Sequence, residues 1–148
     1  MFDRLRPYFL AKADALVAVS RFTRTALTGL MGVEEQRIAL IPNGVDPRLF
    51  SYLDGVDLSE FRARYAAPDE RLVLFVGRIV EEKGAHILVR AAPRILAELP
   101  RTRFVIAGRG PELDNLRQLV EELGVQHAVN LVGFVDDATR DRLYVCAD

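Results

Sequence analysis

The sequence predicts an α/β protein, a parallel sheet with helices on both faces, and three observations carry that reading. Short apolar runs rich in β-branched and aromatic residues alternate with amphipathic stretches of helical length, the order that produces βαβ units. Some helical stretches carry their own start or stop signal, with Ser20 fit to be an N-cap and Gly124 placed to end a helix. Three apolar runs end in glycine: Val76 leads into Gly77, Ala107 into Gly108 and Val132 into Gly133. Together they describe a Rossmann-like sheet whose strands turn at one common edge.

The elements follow in order. A helical start is predicted to about residue 12, a strand over 15–19, and a helix opening at Ser20. A strand over 37–41 closes on the turn signal Pro42-Asn43-Gly44, and residues 46–57, with Pro47, Gly55 and few periodic apolar positions, read as linker. A short helix over 58–65 precedes the run Leu72-Val73-Leu74-Phe75-Val76, which reads as a buried strand. Residues 85–99 are predicted to form an amphipathic helix, with Ile87, Leu88, Ala91, Ile95 and Leu96 facing the sheet and His86, Arg90, Arg94 and Glu98 facing outward. Pro93 inside it should remove one backbone bond and bend it. A strand over 103–107 and a helix from 112 follow, the helix with the stripe Leu113, Leu116, Leu119, Val120 and Leu123. A strand over 129–132 and a helical stretch from Asp137 complete the pattern.

Composition narrows the partners. The chain has 148 residues, 50% hydrophobic and 28% charged, an ordinary balance for a chain able to bury a core. Twenty basic against 21 acidic residues leave a net charge of −1, which offers no footprint for nucleic acid. Cys146 is the only cysteine, so neither an intramolecular disulfide nor a cysteine metal cluster can form, and a reduced, cytoplasmic setting fits. No run approaches the roughly 18 apolar residues of a membrane span. The stretch Arg4-Leu5-Arg6-Pro7-Tyr8-Phe9-Leu10 leaves peripheral membrane contact open.

In open parallel sheets ligands bind beyond the carboxyl ends of the strands, so the glycine-ended runs mark the candidate site. After Phe75-Val76-Gly77 come Arg78 and, past Glu81 and Glu82, Lys83-Gly84 at the start of a helical stretch. Two cations and unpaired amides at a helix N-terminus make a place for a diphosphate. For this loop alone the competing reading is that Arg78 and Lys83 are solvated charges balancing Glu81 and Glu82. Gly77, Gly108 and Gly133 at one edge favour a nucleotide or nucleotide-sugar pocket, because each omits a Cβ where a ligand could approach the backbone. The turn Gly108-Arg109-Gly110 lacks the third glycine of a dinucleotide fingerprint, with Leu113 standing there, and the loop ending in Lys83 lacks the features of an ATPase P-loop. His86 and His127 lie far apart on different elements, so no metal site is predicted, and no serine, histidine and acid set suggests hydrolysis.

Six segments, in order, resemble the pattern of glycosyltransferase family 4. They are Asp14-Ala15-Leu16-Val17-Ala18-Val19-Ser20, Ile41-Pro42-Asn43-Gly44-Val45-Asp46, Phe75-Val76-Gly77-Arg78 with Glu82-Lys83-Gly84, Ile106-Ala107-Gly108-Arg109-Gly110-Pro111, Gly133-Phe134-Val135, and Ala147-Asp148. The resemblance implies a GT-B fold of two domains and retaining transfer of a sugar from a nucleotide-activated donor, with no cofactor and no metal. By it, Arg78 and Lys83 hold the donor diphosphate and act in catalysis, Gly77, Gly108 and Gly110 line the donor site, and Gly133, Phe134 and Val135 lie along the nucleobase. Asn43, Gly44 and Asp46 fall at the interdomain crossing. The acceptor, a sugar, lipid or small molecule, is not specified.

The resemblance also implies a division of the chain. Residues 1–44 correspond to a remnant of the N-terminal acceptor-side domain, 45–70 to a linker and short helix, and 71–148 to part of the donor-binding domain. The family's Glu-x7-Glu motif falls beyond Asp148, so the expectation is an internal piece of a glycosyltransferase, inactive alone. Two other readings remain: a non-catalytic α/β nucleotide-binding or interaction module, and a sugar-nucleotide epimerase whose acids and histidine have no match here.

Overall fold

The computed structural model describes residues 12–148. The helical start predicted up to residue 12 and the stretch from Arg4 to Leu10 lie outside the described residues, apart from Lys12 itself. The chain forms two compact units, Met1–Leu49 and Phe50–Asp148.

In the first unit, β1 (Leu16–Ala18) pairs in parallel with β2 (Ile38–Leu40), each shorter by a residue at both ends than the sequence predicts. Between them runs α1 (Arg21–Met31), opened as expected by Ser20, whose hydroxyl accepts from the Thr23 amide at 3.0 Å. Gly32, at φ 65°, ends it in the left-handed conformation and lets Val33 turn inward. Val33 then packs with Ala18 and Ile38 in a small core.

The second unit carries α2 (Ser59–Arg62), β3 (Arg71–Val76), α3 (Ala85–Glu98), β4 (Thr102–Ala107), α4 (Leu113–Glu122), β5 (Val129–Gly133) and α5 (Asp137–Cys146). The three strands form one parallel sheet in the order β3-β4-β5. Residues alternate sides along β4, the two-residue period of a pleated strand. Phe104 and Ile106 meet Val89 and Ala92 of α3 and Leu116, Leu119 and Val120 of α4. Val105 and Ala107 meet Phe61 of α2 and Leu143 and Cys146 of α5 on the opposite face. Helices therefore cover both faces, as the alternation of segments predicts.

Several local signals act as expected. Leu116, Leu119 and Val120 are the buried stripe of α4, and Gly124, at φ 65°, ends it while the Val125 amide reaches back to the Val120 carbonyl at 3.2 Å. The side chain of Asp136 caps α5, accepting from the Thr139 amide at 2.7 Å.

Of the face expected to be buried in α3, Leu88, Ile95 and Leu96 do pack against the core, but Ile87 does not. Ala85, Val89 and Ala92 are its buried residues, whereas Ile87 is 64% exposed. The helix turns its small side chains to the sheet, where close packing on Phe104 and Ile106 outweighs burial of the larger Ile87. It continues through Pro93 to Glu98.

The segments leading into the sheet also differ. Residues 46–57 are not featureless, because Pro47–Leu53 winds into a 3-10 helix and Leu53 is buried. The Tyr52 hydroxyl donates to Asp141 of α5 at 2.9 Å, and Phe50 meets Tyr144 edge-on with centroids 6.1 Å apart. These apolar anchors lack helical periodicity, so the sequence pattern hides them. The predicted helix over 58–65 shrinks to one turn, with Arg62 drawn into bonds to the Ala67 and Glu70 carbonyls, both at 2.8 Å, and to Asp148 at 2.9 Å.

Candidate functional site

The three glycine-ended strands meet at one edge of the second unit. The Gly77 amide donates to the Ala107 carbonyl at 3.0 Å and the Gly108 amide to the Gly133 carbonyl at 2.7 Å, so the ladder runs one residue past the strands. Beyond it the chain after β3 folds across the chain after β4. Ile79 donates its amide to the Arg109 carbonyl at 2.9 Å and accepts from the Glu112 amide at 3.2 Å, and its side chain is buried in the core between sheet and helices.

This crossing corrects the expected role of two glycines. A Cβ on Gly108 would fall well under 3.0 Å from the Gly77 carbonyl oxygen, and one on Gly110 would meet the Ile79 backbone as closely. Their missing side chains admit the neighbouring loop, not a ligand. Gly133 serves its own backbone, at φ 72° with open space around it. A Cβ on Gly77 would touch only the Phe75 ring, at 3.5 Å, so Gly77 is the one of these four with neither backbone crowding nor a positive φ.

Arg78 and Lys83 both stand exposed on the β3–α3 connection. Glu81–Lys83 forms a single 3-10 turn, and Gly84, left-handed at φ 74°, leads into α3. The sequence places Lys83-Gly84 directly at the helix start, whereas here the 3-10 turn comes first. No side chain caps α3; the Ile87 amide donates to the Gly84 carbonyl at 2.9 Å, which leaves the Ala85 and His86 amides for an anion. Among the described residues neither the Arg78 nor the Lys83 side chain forms an ion pair or hydrogen bond, so Glu81 and Glu82 make no direct contact with them. Arg24, Arg48, Arg62, Arg94, Arg101, Arg103, Arg117 and Arg140 all have carboxylate partners.

At the end of β5 only one of the three grouped residues presents its side chain. Phe134 is 64% exposed, while Val135 packs partly into the core beside α5. The Arg109 guanidinium lies over the Phe134 ring, 4.6 Å from its centroid, within range of a cation–π contact. Sequence spacing does not reveal this pairing, because Phe134 follows a different strand, β5.

Other candidates fall elsewhere. Asn43, Gly44 and Asp46 are exposed in the first unit, and the Arg48 guanidinium holds the Asp46 carboxyl below its ordinary range. A groove of about 330 Å³ between α3 and α4 is lined by His86, Arg90, Glu112 and Asn115, but by none of Arg78, Lys83, Gly108 or Phe134. Among the described residues no three His, Cys, Asp or Glu side chains gather closely enough to hold a metal ion. Also among them, no helix is long and apolar enough to cross a membrane.

A parallel sheet covered on both faces, with cations and glycines gathered at the carboxyl edge, defines a Rossmann-like ligand-binding fold. Residues 58–148 match the family described as Glycosyl transferases group 1, and residues 1–49 match Glycosyltransferase Family 4. The chain belongs to the group 1 glycosyl transferases. It is 36% identical over 135 residues to an uncharacterized glycosyltransferase of Methanocaldococcus jannaschii, covering 90% of this chain and 34% of that protein. It is 34% identical over 118 residues to a GDP-mannose-dependent alpha-(1-6)-phosphatidylinositol monomannoside mannosyltransferase of Mycolicibacterium smegmatis, covering 79% of this chain and 30% of that one. The crystal structure of Anabaena HepE in complex with UDP and glucose shares the fold, with a TM-score of 0.76 and 22% identity over 100% of this chain and 42% of its own. The chain thus spans about a third of the length of each of these two relatives.

Proposed function

We propose that the second unit is the donor-binding part of a retaining glycosyltransferase, and that it holds the diphosphate of a nucleotide-sugar between Arg78 and Lys83. The observation that carries this is the pair's freedom: two exposed cations, without carboxylate partners among the described residues, stand on the connection into an uncapped helix N-terminus at the carboxyl edge of a parallel sheet. Support also comes from the Mycolicibacterium relative, whose name specifies GDP-mannose, and from HepE, which was crystallised with UDP.

In this role the two cations act on the leaving group. As the bond between the sugar and the diphosphate breaks, negative charge builds on the departing phosphate, and donors already aimed at it lower the barrier. Each charge-assisted bond contributes about 1.5–3 kcal/mol. No cofactor and no metal enters this scheme, because the protein's own cations do the neutralising.

The test is calorimetric titration of UDP and GDP into the wild-type chain and the variants Arg78→Ala, Lys83→Ala and Arg101→Ala. Arg101 is already paired with Asp69, so its loss should leave affinity unchanged, while the other two should each weaken binding about tenfold or more. Equal affinities across the three variants would sink the assignment.

A further inference from the structure

Arg109 stands where the donor-site reading places the nucleobase, and nothing above gives it a task. It leaves the end of β4, the central strand, between Arg78 after β3 and Phe134 after β5. Its carbonyl accepts the Ile79 amide at 2.9 Å, which fixes its backbone to the loop that carries Arg78. Its guanidinium covers the exposed Phe134 ring at 4.6 Å, and its N–H groups have no acceptor among the described residues. An arginine held over an aromatic ring with its donors unspent presents a fixed edge of N–H groups to a base lying beside it.

We infer that Arg109, held by Phe134, selects the nucleobase, favouring uracil and guanine over adenine. The inference rests on the donor-site reading and adds base choice to it. Guanidinium is a donor only, with no lone pair to offer. Guanine carries the carbonyl oxygen O6 beside the acceptor N7, and uracil carries carbonyl oxygens like those of thymine, whereas adenine sets an amino donor beside its N7. A free guanidinium edge thus gains up to two bonds from guanine and meets a carbonyl oxygen on uracil, whereas on adenine it gains at most the N7 bond, next to a second donor. The order along the sheet edge fits: strands lie about 4.8 Å apart, so the ends of β3 and β5 are separated by roughly 10 Å, with Arg109 between the phosphate cations and the aromatic ring.

Titration of the full chain with UDP, GDP and ADP tests this. Wild type should bind UDP or GDP roughly tenfold or more tightly than ADP. Arg109→Met keeps an apolar cover on Phe134 but removes every donor, so it should close the gap by weakening UDP and GDP while ADP binding stays put. Arg109→Gln, whose amide can also accept, should bind ADP more tightly than Arg109→Met does. The inference is overturned if wild type shows no preference, if the preference survives in Arg109→Met, or if that variant weakens all three nucleotides alike. The donor-site reading has its own readout, since Arg78→Ala should weaken all three equally. If no nucleotide binds wild type, that reading falls and base selection falls with it. If binding and the Arg78 effect are present without base discrimination, base selection alone is refuted.

Discussion

The backbone of Gly108 passes so close to the Gly77 carbonyl that a Cβ on Gly108 would come within 2.9 Å of the carbonyl carbon and nearer still to its oxygen. Gly108 also holds φ 153°, where L side chains are strained. Gly108→Ala should therefore combine overpacking with backbone strain and cost about 2 kcal/mol or more. Gly77→Ala, meeting only a ring edge, should change stability by less than about 0.5 kcal/mol. Thermal melts of the two variants separate these outcomes, and a destabilised Gly77→Ala would contradict the packing described.

Substituting the free cations should separate binding from stability. Among the described residues Arg78 and Lys83 have no side-chain partners, so replacing either with Ala should alter stability by no more than about 0.5 kcal/mol. Arg62 serves the opposite end of the sheet, donating to Ala67, Glu70, Cys146 and Asp148. Arg62→Ala should cost about 1.5–3 kcal/mol by stranding those acceptors, and nucleotide affinity of the remaining folded protein should not change. Denaturant melts alongside titrations check both halves.

What could be read from the sequence was whatever is encoded within a few residues. Ser20 and Asp137's neighbour Asp136 start helices through their own side chains, Gly124 stops one, and the apolar runs of β3, β4 and β5 announce themselves. Asp136 itself was not singled out, although its aspartate one residue before the helix is the usual signal. In α3 the pattern places Leu88, Ile95 and Leu96 correctly against the core but not Ile87, because a helix flanking a sheet can bury Ala85 and Ala92 in its stead, and hydrophobicity alone ranks them the other way. Contacts between loops were out of reach: Gly108 against Gly77, and Arg109 over Phe134, depend on the β3-β4-β5 order. The sequence thus marks Gly108 and Gly110 but not the backbone that passes against each of them.

Acid should destabilise the second unit through carboxylates that the fold holds ionised. Glu70 lies below its ordinary value of 4.5, chiefly through the Arg103 guanidinium and then the Ala67 amide, and Asp148 lies below 3.8, chiefly through the Leu72 amide. A depressed folded pKa gives stability that is present above the unfolded value and lost as pH falls through the folded one. The melting temperature should therefore hold down to about pH 5 and fall below it. Glu70→Gln removes one of these groups and should flatten the slope below pH 5 while lowering stability at pH 7. A slope identical to wild type would show that Glu70 is not among the groups responsible.

Ile79 ties core packing to the candidate site, because its side chain is buried while its backbone is bonded to Arg109 and Glu112 and it follows Arg78 directly. Ile79→Ala should cost about 2–5 kcal/mol, the usual range for emptying a packed site. Leu143, fully buried on the other face of the sheet, should cost a similar amount as Leu143→Ala. The two variants should differ in binding. Loss of Ile79 frees the loop that fixes Arg78, so nucleotide affinity should drop beyond what the unfolded fraction explains. Loss of Leu143 leaves that loop anchored, and its affinity, corrected for unfolding, should match wild type. Matching corrected affinities for both variants would mean that the Ile79 anchor does not position Arg78.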